Sequence, residues 1–199
     1  MPKKSIKPTK VCYLVFGPES AGNRMMACSF DTAGIESPYS KNGEYISGPH
    51  SEPTYTENPL LISRSIPHGA NWPDIKEIIQ RAKDSNYEVF ILVLTRIEKY
   101  MAESQVLCGR INFRHVDINT KEDALVVANR NIKRAKKLIN NAVKGTNYKT
   151  ISYERFVTDS NYRKSIFVDW LGLSEPTLEY YNANEKKEVK PKPVKGVRV

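Results

Sequence analysis

VCYLVFGPESAGNRMM, residues 11–26, decides the fold. Residues 11–16 are apolar without interruption, where a half-exposed strand would alternate. A continuous run of β-branched and aromatic side chains marks a strand covered on both faces, as in parallel sheets. The run breaks at Gly17, and a helical pattern resumes after Gly22. Gly17-x-x-x-x-Gly22 is the skeleton of a loop whose backbone N–H groups turn inward around an anion. In Mg²⁺-dependent nucleotide hydrolases a Lys-Ser/Thr pair follows, and its hydroxyl ligates the metal. Here Asn23-Arg24 follows instead. A cation in place of the metal ligand points to an anionic ligand bound without a metal, and no metal-ligand set is expected.

Further along, PLLIS (59–63), YEVFILVL (87–94) and KTISY (149–153) read as three more strands. Helical patterns separate them. One covers 22–34. Another covers 73–84, with Pro73 in its first turn and Ile75, Ile78, Ile79 and Ala82 on one side. A third spans 97–108. The longest, 119–143, has Thr120 as its cap and a stripe of Leu125, Ala128, Ile132, Ala135, Ile139 and Ala142. The last, 161–171, stops at Gly172 as a C-terminal cap requires. Strands alternating with helices predict an α/β fold: a three-layer α/β/α sandwich with a mostly parallel central sheet, of the P-loop NTPase-like kind.

The chain has 199 residues, 40% of them hydrophobic, which suffices for one domain with a real core. Its net charge of +9 suggests a polyanion partner until the charges are located. Residues 1–10 hold four lysines, residues 186–199 hold six basic residues and Glu188, and the stretch between is neutral. The basicity lies in the ends, which argues against a nucleic-acid surface on the folded body. The organisation expected is a basic tail at 1–10, one domain at 11–175 and a Lys/Pro-rich tail at 176–199. Within the domain, residues 36–58 are too long for an idle connection and read as a functional lid or a disordered segment. No apolar run approaches the ~20 residues of a membrane span. VCYLVF is too short for a signal-peptide core of ~7–15 residues. Cys12, Cys28 and Cys108 form no C-x-x-C, and read as buried free thiols. A soluble cytoplasmic protein is expected.

Open parallel sheets bind ligands at the carboxyl ends of their strands, and the first strand-to-helix turn favours phosphate. Arg24 adds a fixed positive fork there. Arg96 follows the strand 87–94 on the same edge, and Ser104 lies about two helical turns later. Both can approach one phosphate.

The glycine loop, Arg96-x7-Ser104 and SYERFVTDSNYRKSIFVDWLGL, in that order over residues 11–173, resemble the sulfotransferases that use 3′-phosphoadenosine 5′-phosphosulfate (PAPS). The resemblance implies that Gly17, Pro18, Glu19, Ser20, Ala21, Gly22, Asn23, Arg24 and Met25 wrap the 5′-phosphosulfate. It places Arg96 and Ser104 on the 3′-phosphate and Tyr153, of Tyr153-Glu154, near the adenine. It implies PAPS as co-substrate and no metal, because a sulfuryl group carries less charge than a phosphoryl group and Arg and backbone donors can stabilise its transfer. Relatives place a loop lysine where Ser20 stands and a histidine where Ser65 stands. His68 is the expected base for the acceptor's proton, its ordinary pKa of ~6.5 suiting that task. Arg64 and Arg24 are expected to neutralise transferred charge. The acceptor is a sugar, lipid, peptide or small molecule, selected by the 36–58 segment with Tyr39, Tyr45 and Tyr55. Ser20 and Ser65 keep a second reading open, a nucleotide-binding or scaffold protein that lost the reaction.

Overall fold

The four apolar runs all become strands, each a residue or more longer than its apolar core or shifted by one. In the computed structural model, which describes residues 10–37, 55–67, 71–107 and 120–178, β1 spans Lys10–Pro18, β2 Leu60–Ile66, β3 Tyr87–Thr95 and β4 Tyr148–Ser152. All pairings are parallel, in the order β2-β1-β3-β4. Register sets Gly17 beside Ser65 and Thr95 beside Ser152 at the carboxyl edge.

β1 is buried on both sides because each of its faces meets helices. Tyr13 and Val15 point into one apolar cluster, Cys12, Leu14 and Phe16 into the other. The first cluster takes Met26 and Phe30 from α1 (Asn23–Thr32) and Ile166 and Phe167 from α6 (Ser160–Phe167). Phe30 links them, its ring centroid 5.0 Å from both Tyr13 and Phe167. The second cluster takes Ile75, Ile79 and Ala82 from α2 (Ile75–Asp84). It also takes Ala135, Ile139 and Val143 from the second half of α4 (Lys121–Val143). The first half of α4, through Ala124, Ala128 and Ile132, joins the first cluster with Met101 and Ala102 of α3 (Glu98–Leu107). Fully burying one such aliphatic or aromatic side chain is worth about 1.5–3 kcal/mol, so these faces hold the layers together.

Helix ends follow local chemistry. Thr120 and Asp123 form a reciprocal capping box at the start of α4. α2 begins after Pro73 rather than at it, because the Asp74 carboxylate caps the helix by accepting from Glu77 N–H at 3.1 Å. Two expectations fail here. Residue 153 does not end a strand: it is the first residue of a short helix, α5 (Tyr153–Thr158), capped by Ser152. And α6 stops at Phe167, because Asp169 and Leu171 donate to carbonyls five residues back, widening the turn before Gly172. On α4, Arg130, Lys133 and Lys137 are exposed, Arg134 lies 4.1 Å over the Trp72 ring, and Lys136 pairs with Glu98 at 2.6 Å.

Lys10, assigned to the N-terminal tail, opens β1, and the packed chain continues past 175, with Leu178 on the first cluster. Most of the 36–58 segment, with Tyr39 and Tyr45, lies outside the described residues, as do most of both tails and Cys108. The end of that segment is described. Asn58 accepts from Val11 N–H at 3.0 Å, Glu57 accepts from the Tyr87 hydroxyl at 2.6 Å, and Tyr55 packs edge-on to Tyr87. Tyr55 therefore sits at the amino ends of the strands, opposite the glycine loop. Among the described residues no helix is long and apolar enough to cross a membrane.

Candidate functional site at the carboxyl edge of the sheet

From β1 the chain passes to β2 on one side, then crosses through α2 to β3 on the other. Between the carboxyl ends of β1 and β3, outgoing connections therefore diverge to opposite sides of the sheet. This is the topological switch point at which open α/β sheets bind ligands. The glycine loop follows β1 and Arg96 follows β3, so the two flank this crevice.

The loop is a tight turn leading straight into a helix. Ala21 N–H donates to Pro18 O at 3.0 Å, closing a β-turn over Glu19 and Ser20. Ser20 has φ 69°, the positive value a type II turn needs at its third position and usually fills with glycine. Glu19 N–H donates to Ile66 O at 3.2 Å, tying the turn to the end of β2. Gly22, at φ 105° and ψ 19°, forms the N-cap of α1 and has no side chain to cap it. The N-terminus of α1 therefore has no side-chain cap, and the helix dipole there favours an anion.

Three side chains converge on this turn from β3, α3 and α5. Arg96 donates through Nη1 to Ser20 O at 3.1 Å, and its guanidinium lies 4.4 Å over the Tyr153 ring. Tyr153 in turn abuts the loop so closely that a Cβ on Gly22 would lie 2.6 Å from its Cδ2. Gln105, 3% exposed, donates through Nε2 to Glu19 O at 2.8 Å. Glu154 holds the frame behind them, its carboxylate accepting from Ile97 N–H at 2.9 Å and from the Ser152 hydroxyl at 3.2 Å. The turn after β3 is thereby fixed to the turn after β4.

Among the described residues, the buried side-chain polar atoms without a hydrogen-bond partner are Ser20 Oγ, Asn23 Oδ1, Arg96 Nε and Arg163 Nε. Three of these four belong to the loop and its clamp. A buried polar atom left unpaired costs about 1–3 kcal/mol, so their concentration at one turn sets this turn apart from the rest of the described structure.

The residues expected to act together are thus partly assembled. Gly17 and Pro18 end β1, Glu19 to Gly22 make the turn, and Asn23, Arg24 and Met25 start α1. Asn23 Nδ2 donates to Pro18 O at 3.2 Å, pinning helix to strand. The Arg24 charge pulls the Cys28 thiol pKa down, against a larger upward push from burial. Arg96 and Tyr153 are at the loop. Ser104 is not tied to it by any hydrogen bond among the described residues; the next residue, Gln105, reaches the turn instead. The signal for Gln105 was present in the sequence, a polar side chain four residues after Met101 on the buried face of α3. Arg64 pairs in register with Phe16, and its Nη1 donates to Ser63 O at 3.1 Å. By strand alternation with Leu60, Ile62 and Ile66 it is on the α2 side of the sheet. His68 lies outside the described residues.

The chain matches no protein-family model, no curated protein and no solved structure.

Proposed function

We propose that the crevice between β1 and β3 binds a phosphorylated nucleotide, and that the protein is a PAPS-dependent sulfotransferase on a P-loop-like fold. The observation that carries this reading is the cluster of unpaired buried atoms, Ser20 Oγ, Asn23 Oδ1 and Arg96 Nε, around an uncapped helix start at the switch point. Residues 17–25 take the 5′-phosphosulfate, Arg96 the 3′-phosphate with Ser104 at the outer end, and Tyr153 the adenine. An acceptor –OH or –NH attacks sulfur in line, and the bond from sulfur to the bridging phosphate oxygen breaks. His68 takes the acceptor's proton. Arg24 and the helix start receive charge on the departing oxygen, with Arg64 at the acceptor side.

Calorimetry with adenosine 3′,5′-bisphosphate tests the nucleotide site. Arg96→Ala is expected to weaken binding by about 2–5 kcal/mol, as removal of a buried charge partner does. Unchanged affinity rules the assignment out. His68→Ala is expected to abolish turnover of PAPS and keep bisphosphate affinity; retained turnover moves the base elsewhere.

A second reading, nucleotide binding without transfer, is favoured by two specific features. Ser20 stands where relatives carry lysine, and Arg96 is already engaged by Ser20 O and the Tyr153 ring. Bisphosphate binding with no sulfuryl transfer to sugar, lipid, peptide or small-molecule acceptors selects this reading over the first.

A further inference from the structure

Resting on the reading of the crevice as a nucleotide site, we infer that Gln105 is the positioning residue of the glycine turn. It sets the orientation of the Glu19–Ser20 peptide, and through it the donor that Ser20 N–H presents to a bound phosphate or sulfate group.

Across a planar trans peptide, C=O and N–H point in opposite directions. The Glu19 carbonyl is held from α3 by Gln105 Nε2 at 2.8 Å, so the N–H of Ser20, in the same peptide, faces away from α3. The next carbonyl, Ser20 O, is held by Arg96 at 3.1 Å. Two consecutive loop carbonyls are therefore both turned toward donors that follow β3, which leaves the amide side of Ser20 for a ligand. The two holders are not equivalent. Arg96 is half-buried, carries charge and keeps Nε unpaired, so an anion entering the crevice competes for it. Gln105 is neutral and buried, so an anion draws it far less than it draws the Arg96 guanidinium. As Arg96 turns to the ligand, Gln105 remains to keep the carbonyl side of the turn in place. A buried amide is also an expensive choice beside Met101 and Ala102 unless its hydrogen bond is needed.

The test uses the full-length chain and the variant Gln105→Met, which keeps length and volume and loses the donor. Two readouts are taken. Amide hydrogen exchange at Glu19 and Ala21, whose N–H groups are bonded to Ile66 O and Pro18 O, followed by NMR without ligand, is expected to accelerate by about 10-fold or more, as a turn released from a buried tether opens locally. Affinity for adenosine 3′,5′-bisphosphate is expected to fall by about 10–100-fold while the thermal midpoint stays within a few degrees, the range expected from misplacing one group by about 1 Å. Gln105→Asn, which retains the amide but withdraws it by one methylene, repeats the test should the methionine variant fail to fold. Wild-type exchange and wild-type affinity in a folded variant overturn the role of Gln105. Absence of bisphosphate binding in the wild-type protein instead overturns the nucleotide site, and the exchange readout then decides the positioning role by itself. A merely structural Gln105 would lower the thermal midpoint and leave exchange at Glu19 and Ala21 and the affinity of the folded fraction unchanged.

Discussion

Gly22→Ala is the substitution that tests the clamp most directly. At φ 105° and ψ 19° any residue with a Cβ is strained, at a cost of about 1–3 kcal/mol. The added methyl would also sit 2.6 Å from Cδ2 and 3.2 Å from Cε2 of Tyr153. A ring that also carries the Arg96 guanidinium 4.4 Å from its centroid does not yield freely, and overpacking of this kind costs about 1–3 kcal/mol. The loss is then about 2–6 kcal/mol in urea unfolding at 25 °C, or a fall in Tm of roughly 4–24 °C for a domain of this size. Tyr153→Ala separates the two contributions. In that background the ring is gone, so the alanine at position 22 should cost only the backbone share. The double-mutant cycle should give a coupling of about 1–3 kcal/mol. Strict additivity, to within about 0.5 kcal/mol, would refute the contact between Gly22 and Tyr153 and with it the geometry of the site.

Thr120→Ala removes one half of the capping box of α4 and should cost about 0.5–2 kcal/mol in urea unfolding; no change would mean the helix starts elsewhere. Lys136→Met should cost at most about 1 kcal/mol at pH 7, since both side chains of its pair with Glu98 are partly exposed. The hydrogen bond from Lys136, and then its charge, hold the Glu98 pKa below the ordinary value, so the pair stabilises above the unfolded glutamate pKa of about 4.3. That contribution fades as pH falls through the lowered folded value, and wild type and variant should converge once the carboxylate is protonated in both states; a difference that ignores pH would point to packing. Burial pushes the Cys12 thiol up to about 12, so Ellman's reagent at pH 8 should modify it only after unfolding. Rapid labelling of Cys12 in the native protein, located by peptide mapping, would contradict its burial.

The sheet was legible because burial on both faces writes itself as an unbroken apolar run, and VCYLVF and YEVFILVL are such runs. The glycine break after the first of them marked the strand-to-helix turn, while the strand order that makes it a switch point came only with the structure. What escaped was decided by single side chains acting across the fold. α5 is short, and its opening Ser152-Tyr153 continues the β-like composition of KTIS, so only the hydroxyl cap marks the change. Gln105 carries no motif; its meaning comes from Glu19 O, far away in sequence and adjacent only after β1 and β3 pair. Ser104 fitted a spacing, yet helical rotation puts its neighbour on the loop. Tyr55 was grouped with an acceptor lid because residues 36–58 look alike in composition, whereas its hydrogen-bonded neighbours are bound to the opposite edge.

β1 is translated before either strand that will flank it. Cys12 aligns with Leu60, and Lys10 with Tyr87, so its partners arrive only much later in synthesis. Roughly fifty residues separate it from the first of them, a wait of ~2–10 s at about 5–20 residues per second. For that interval the nascent chain displays a sticky hexapeptide with nowhere to dock. Lysines at 3, 4, 7 and 10 border that apolar run, and charges beside such a segment oppose association between neighbouring nascent copies.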